Sequence, residues 1–206
     1  MDSGRLSDVL DATYTCLTRY GVRRTTMDDI AAAMGVSRSA VYQYVRGKDD
    51  AFRQLAGRLH TQALASAQQA AGQDAPYAQR IRGVLAAKLD LSLHLIGDSP
   101  HTAELMDSKA RLFGEICTEF TAELRKLLAG LFTEAGATDA DAAAEICVAL
   151  VSGLETAPDG RRLLGRAVDA LVPGLLRPAE QVGRAGGAAG WAYPVGPDTI
   201  PNRTPC

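Results

Sequence analysis

From Thr26 to Lys48 the chain reads T-M-D-D-I-A-A-A-M-G-V-S-R-S-A-V-Y-Q-Y-V-R-G-K, and no other stretch of its 206 residues restricts the local fold so tightly. Thr26, with Asp29 three positions on, has the spacing of a capping box in which Asp replaces the usual Glu, so a helix is predicted to begin just after Thr26. Glycine at position 35 can take the left-handed conformation that ends a helix, and Ser37 supplies the N-cap of another running from Arg38 to about Val45. The connection is then three residues, Gly35-Val36-Ser37, with Ile30, Ala31, Met34 and Val41 as a miniature core. This is the sequence form of a helix-turn-helix.

Elsewhere Ala, Leu, Arg and Glu recur at three- and four-residue spacing and alternating β-branched runs are absent, so the chain reads as all-α. Leu6, Val9, Leu10, Thr13 and Leu17 line one face of a first helix that ends near Tyr20-Gly21, glycine taking the left-handed cap. A fourth helix from near Lys48 carries Phe52, Leu55, Leu59, Ala63 and Ala67, and the run from Gly72 to Pro76 closes it. A fifth is predicted from Pro76, in its first position, to Leu95, then a short helix from Pro100 to about Ser108. A long helix from about Ala110 to Ala135, stopped by Gly136, and two more, Asp139 to Thr156 and Gly160 to Leu176, complete the set. From Arg177 onward, five Gly and five Pro in thirty residues predict an irregular or disordered tail, in which Trp191, Tyr193, Val195 and Ile200 either dock on the body or stay solvated.

A hydrophobic content of 47% suits a protein with a buried core, and no apolar run approaches the ~20 residues of a bilayer span, so a cytoplasmic location is expected. Cys16, Cys117, Cys147 and Cys206 form no C-x-x-C pair, which points to reduced, mostly buried thiols. The net charge of −2 argues by itself against a nucleic-acid partner. Its distribution argues the other way: residues 1–58 carry +2 and the remainder −4, with Arg23, Arg24, Arg38, Arg46 and Lys48 in or beside the motif.

A recognition helix fits the major groove and points its first turn at base edges. Here that turn offers Arg38 and Ser39, with Gln43 one turn on. Arginine donates two hydrogen bonds to guanine and glutamine pairs with adenine, each contact discriminating by roughly tenfold to a hundredfold. Thr25, Thr26, Tyr42, Tyr44 and Lys48 suit phosphates, which position a helix without reading sequence. The same spacing also fits an ordinary helical hairpin with a solvated Arg and Gln.

Val9-Leu10-Asp11-Ala12, Arg19-Tyr20-Gly21, Thr25-Thr26-Met27-Asp28-Asp29-Ile30-Ala31, Gly35-Val36-Ser37 and Val41-Tyr42-Gln43-Tyr44 through Lys48 resemble the N-terminal domain of the TetR family of bacterial transcriptional regulators. The resemblance implies a helix-turn-helix head over 1–60, a helical effector-binding and dimerisation body over 61–176 reached through helix four, and a Gly/Pro-rich tail over 177–206. It marks Arg38, Ser39, Ala40 and Gln43 as base-facing and Thr26, Tyr42, Tyr44 and Lys48 as backbone-facing. Val45 and Leu17 stand where the family often has Phe, and Gly47 where it often has Ser or Asn.

One head touches few bases, so two heads about one helical turn, ~34 Å, apart on a pseudo-palindrome are expected. The resemblance points to the last helical pair as the dimer interface, here Ala149, Leu150, Gly153, Leu154, Leu164, Val168, Leu171 and Leu175, although such stripes also suit the core of a single protomer. A small-molecule effector is implied among the middle helices, where Leu89, Leu93, His94, Met106, Phe113, Cys117 and Phe120 are candidate lining residues and equally ordinary core. His94, Asp98, His101 and Glu104 lie within eleven residues, but the intervening Gly-Asp-Ser-Pro leaves their directions open, and no metal or cofactor is expected. Effector binding would swing the heads through helix four, in which Gly57 is either a hinge or a packing residue. An all-helical enzyme lacks a nucleophile beside a base, and an interaction protein without DNA contact is the other alternative.

Overall fold

The computed structural model describes residues 3–97 and 100–176, with side chains for 4–94, 100, 101, 104 and 112–176. The tail call on Trp191, Tyr193, Val195 and Ile200 lies outside these residues, as does Asp98. The described chain is all-α: α1 Ser3–Arg24, α2 Met27–Met34, α3 Arg38–Val41, α4 Lys48–Ala71, α5 Tyr77–Gly97, α6 Thr102–Glu134, α7 Ala140–Leu154 and α8 Gly160–Leu175.

The capping chemistry around α2 is as the sequence predicts. Thr26 Oγ1 accepts from Asp29 N–H while the Asp29 carboxylate accepts from Thr26 N–H, and Gly35 closes the helix at φ 65°, ψ 31°. Ser37 caps α3 by accepting from Ala40 N–H. That helix is shorter than predicted: after Val41 the bonds tighten, Gln43 N–H to Ala40 O and Tyr44 N–H to Val41 O, so the segment to Val45 continues as turns. Gly21 does not adopt the expected left-handed cap. Its φ of 78° with ψ 173° is an extended conformation reserved for glycine, and a Cβ there would lie 2.5 Å from Glu104 Oε2. Pro76 stands just before α5, its carbonyl accepting from Arg80 N–H. The boundary expected near Ala110 is absent; the short and long helices merge into α6, broken instead at Phe113, φ −149° and ψ 26°.

Among the described residues three apolar clusters form the core, and α4 contributes to each of them. Ala51 joins Val9, Cys16, Ile30, Val41 and Val45 in the core of α1 to α3. Phe52, Leu55 and Ala56 meet Leu10, Leu17 and Val22 of α1 and Leu112 and Phe113 of α6. Ala63, Ala67 and Ala71 enter the body with Leu85, Leu124, Phe132, Val151 and Val168. The spacing 52, 55, 56, 63, 67, 71 keeps these residues on one helical face, so one rigid rod touches the head, the seam and the body. Burying each large side chain stabilises by about 1.5 to 3 kcal/mol, so movement of α4 in one cluster is resisted or relayed by the others.

Candidate nucleic-acid interface

The start of α3 presents an exposed polar surface fixed from below by buried Val41 and Val45. Arg38 leaves its N-terminal turn with 55% of its side chain exposed and is held from two sides. Nη1 donates to Asp28 Oδ2 at 3.3 Å, Nη2 donates to Tyr42 Oη at 3.1 Å, and the guanidinium lies 5.5 Å from the Tyr42 ring centroid. These partners, the Tyr42 hydroxyl foremost and the Asp28 charge next, push the Arg38 pKa up, so the group is a permanent cation. Tyr42 itself is 43% exposed. Ser39 and Gln43 are also exposed, Ser39 Oγ lying 2.9 Å from Ser37 Oγ, and Ala40 is half-buried beside them. The fork is thus stacked and pointed before any partner arrives, the geometry suited to guanine or a phosphate.

The other phosphate candidates divide. Thr26 is exposed, but its hydroxyl donates to Asp29 Oδ2 at 2.6 Å. That bond, with the Thr26 backbone N–H, holds the Asp29 carboxyl below its ordinary value. Tyr44 is half-buried against the head core. Lys48 reaches across to donate to Arg23 O at 3.2 Å, joining α4 to the end of α1. Thr25 must be corrected: it is fully buried, and its hydroxyl donates to Gly21 O at 2.7 Å and lies 3.1 Å from Cys16 O, so it braces the α1 end and cannot meet a phosphate.

Asp28 is absent from the sequence-predicted set because ten residues separate it from Arg38, and only the crossing of α2 and α3 brings them together. Arg58 is a second omission. It ties α4 to α1 through Ser7 and the Asp11 carboxylate at 2.6 Å.

The predicted dimer stripe splits as well. Leu154, Leu164 and Val168 are buried in the protomer's own core, a correction that follows from their sharing a face with Val151 and Val172. Ala149, Gly153 and Leu171 point outward and Leu150 and Leu175 are half-buried; exposed Ile146, one turn before Ala149 and Leu150, belongs with them and was legible from that spacing.

The predicted effector residues do not line one cavity. Leu89 and Phe120 are body core, with Leu93 packed on it, while Phe113 and Cys117 belong to the seam between α1, α4 and α6. His94 is exposed and stacks on Tyr14 at 4.9 Å. The side chain of Met106 lies outside the described ones. His101 and Glu104 pack on the end of α1, the latter accepting from Arg23 N–H, so they do not gather with His94 as a metal cluster. No group of three potential metal ligands occurs among the described residues.

The sequence model of "Bacterial regulatory proteins, tetR family" matches residues 9–55. Over these residues, α1 to α3 and the start of α4, the head is similar to the N-terminal domain of that family. That family is one of bacterial regulatory proteins. Solved structures share the fold of this chain. A protein of Pseudomonas aeruginosa PAO1 described as a transcriptional regulator superposes with a TM-score of 0.68 at 23% identity, covering 89% of this chain and 96% of its own. The regulator FadR of Bacillus subtilis, solved with stearoyl-CoA, gives 0.63 at 19% identity over 82% and 98%. A Rhodococcus RHA1 protein of the tetR family gives 0.61 at 19% over 84% and 97%. No curated protein matches the chain in sequence. Among the described residues no helix is long and apolar enough to cross a membrane, whatever the length of α6.

Proposed function

We propose that this protein is a TetR-family transcriptional regulator that binds a palindromic operator as a homodimer, represses from it, and is released by a small-molecule effector. The observation that carries the reading is the exposed Arg38 fork at the start of α3, stacked on Tyr42 and paired with Asp28 by an exchangeable surface contact, with Ser39, Ala40 and Gln43 completing the base-facing surface and Thr26, Tyr42, Tyr44 and Lys48 flanking it toward phosphates. Head and body divide within α4 near residue 60.

Dimerisation supplies the second head. The exposed apolar face of Ile146, Ala149, Leu150 and Gly153 on α7, with Leu171 and Leu175 on α8, offers small residues for close approach to its own copy. For the effector we favour the seam between α4 and α6, where Phe113, Cys117 and Phe120 lie, backed by Leu89 and Leu93, because a ligand parting these helices moves the rod that carries the head. The enclosed space beside Phe113 is about 20 Å³, room for roughly one water. Built on Gly57, a Cβ meets nothing within 4 Å, which supports a hinge over a packing role for this glycine.

Selection of bound sequences from random duplex DNA tests the reading. A two-fold symmetric site bound by two protomers is expected; recovery of no enriched sequence by folded protein would overturn it.

A further inference from the structure

His60 is one of three buried polar residues among those described, set on the apolar face of α4 where an aliphatic side chain would pack as well. Its ring meets the Phe120 ring edge-on, centroids 5.2 Å apart. Nδ1 lies 2.7 Å from the Ala56 carbonyl oxygen. A carbonyl only accepts, so Nδ1 carries the proton and Nε2 presents its lone pair. That lone pair faces Cys117 Sγ of α6 at 3.4 Å, and the thiol donates to it. Nucleophile, base and a third group orienting the base are the parts by which a cysteine is activated.

The other described thiols differ. Cys16 and Cys147 are buried, and burial pushes both thiols up, Cys147 to about 11. Cys117 is only half-buried. Oxidation by a peroxide would leave a sulfenic acid in need of a second thiol, yet Cys16 sits in the head core and Cys147 in the body core, apart from the cluster that holds Cys117. The neighbours of Cys117 in that cluster, Leu59, Phe113 and Ile116, suit an apolar carbon compound instead.

We infer that Cys117 and His60 form a nucleophile and base pair that captures a soft electrophile of the α,β-unsaturated carbonyl class. The thiol proton passes to His60 Nε2 as sulfur bonds to the β-carbon. The π electrons of the C=C bond move to the enolate, and the proton returns from His60 to the α-carbon. The product is a thioether, with no leaving group and no oxidant. Because the space beside Phe113, one helical turn before Cys117, takes roughly one water, an adduct on Cys117 parts α4 from α6. The chemistry stands on these contacts alone; only its consequence for DNA rests on the regulator reading.

The probe is N-ethylmaleimide, limiting, on the full chain carrying Cys206→Ser, with labelled peptides followed by mass spectrometry. Cys117 is expected to react at least about tenfold faster than Cys16 and Cys147. In His60→Gln that rate falls and its onset moves toward the pH of an ordinary thiol. Labelling of Cys117 no faster than the other two, or an unchanged rate and pH profile in His60→Gln, overturns the pair. Should His60→Gln fail to fold, the comparison of the three thiols in the parent protein decides. On the same samples, operator affinity that drops on labelling, and not in Cys117→Ser, supports the link to the head. Labelled protein with unchanged affinity overturns the link and leaves the pair standing, whereas unlabelled protein that binds no duplex overturns the regulator reading only.

Discussion

Two ion pairs show how differently the head and the body use charge. Arg38 and Asp28 meet on the head's surface with side chains 55% and 68% exposed, while Lys88 of α5 and Glu155 at the end of α7 meet inside the body with 11% and 10%. An exposed pair is worth little and is readily exchanged for a phosphate or a base edge. A mostly enclosed pair is held more firmly, because removing one partner leaves the other poorly solvated. Of these two pairs, the head's keeps Arg38 exchangeable for an outside partner, and the body's locks α5 to the end of α7.

The largest effect that would sharpen this contrast is Glu155→Ala, expected to cost about 1 to 3 kcal/mol in chemical denaturation by leaving Lys88 without its partner. Asp28→Ala should scarcely move the same midpoint; equal losses would erase the distinction. A smaller loss, a few degrees in Tm, is expected for Asp29→Asn, which replaces the charged acceptor of the capping box around α2 by a weaker, neutral one. Its pH dependence has a definite sign. The Thr26 hydroxyl and N–H hold the folded-state carboxyl below its ordinary value, so its stabilisation is complete above the unfolded range near ~4 and fades as pH falls through the folded-state value. The parent and Asp29→Asn should thus converge in acid; a gap that widened there would contradict the assignment.

Where the two regions meet, Gly57→Ala should raise stability by about 0.5 to 1 kcal/mol, since α4 gains a better helix former and the new methyl meets open space. Destabilisation on thermal melting would show that α4 needs its glycine for the fold. The smallest effect is expected from Asp28→Asn, which frees Arg38 from its carboxylate: operator binding should strengthen a few-fold, by fluorescence anisotropy, with folding unchanged. Weaker binding would make Asp28 a support of Arg38 instead of a competitor.

The head was more legible in sequence than the body for a physical reason. Caps act between residues three apart, so Thr26 with Asp29, Gly35, and Ser37 with Ala40 declare α2 and α3 locally. The break in α6 at Phe113, by contrast, depends on how α1, α4 and α6 meet, which no neighbouring residue encodes. Side-chain roles followed the same division. Arg38 is where its position in the helix puts it, whereas the Asp28 partner, the burial of Thr25 and the inward turn of Leu154, Leu164 and Val168 arise only when helices cross. Threonine is compatible with a cap, a phosphate contact or a buried bond to a carbonyl, and only the 2.7 Å contact with Gly21 O selects the last.

The claim on which the account rests is that Arg38 at the head of α3 reads a base. Titration of the selected duplex with the parent protein and Arg38→Ala, over a series of salt concentrations, tests it most directly. The account predicts steeply salt-dependent binding by the parent and a loss of roughly tenfold to a hundredfold in the variant, concentrated on one base position in each half-site, with folding intact. Equal affinity and equal base preference in the two proteins would contradict it.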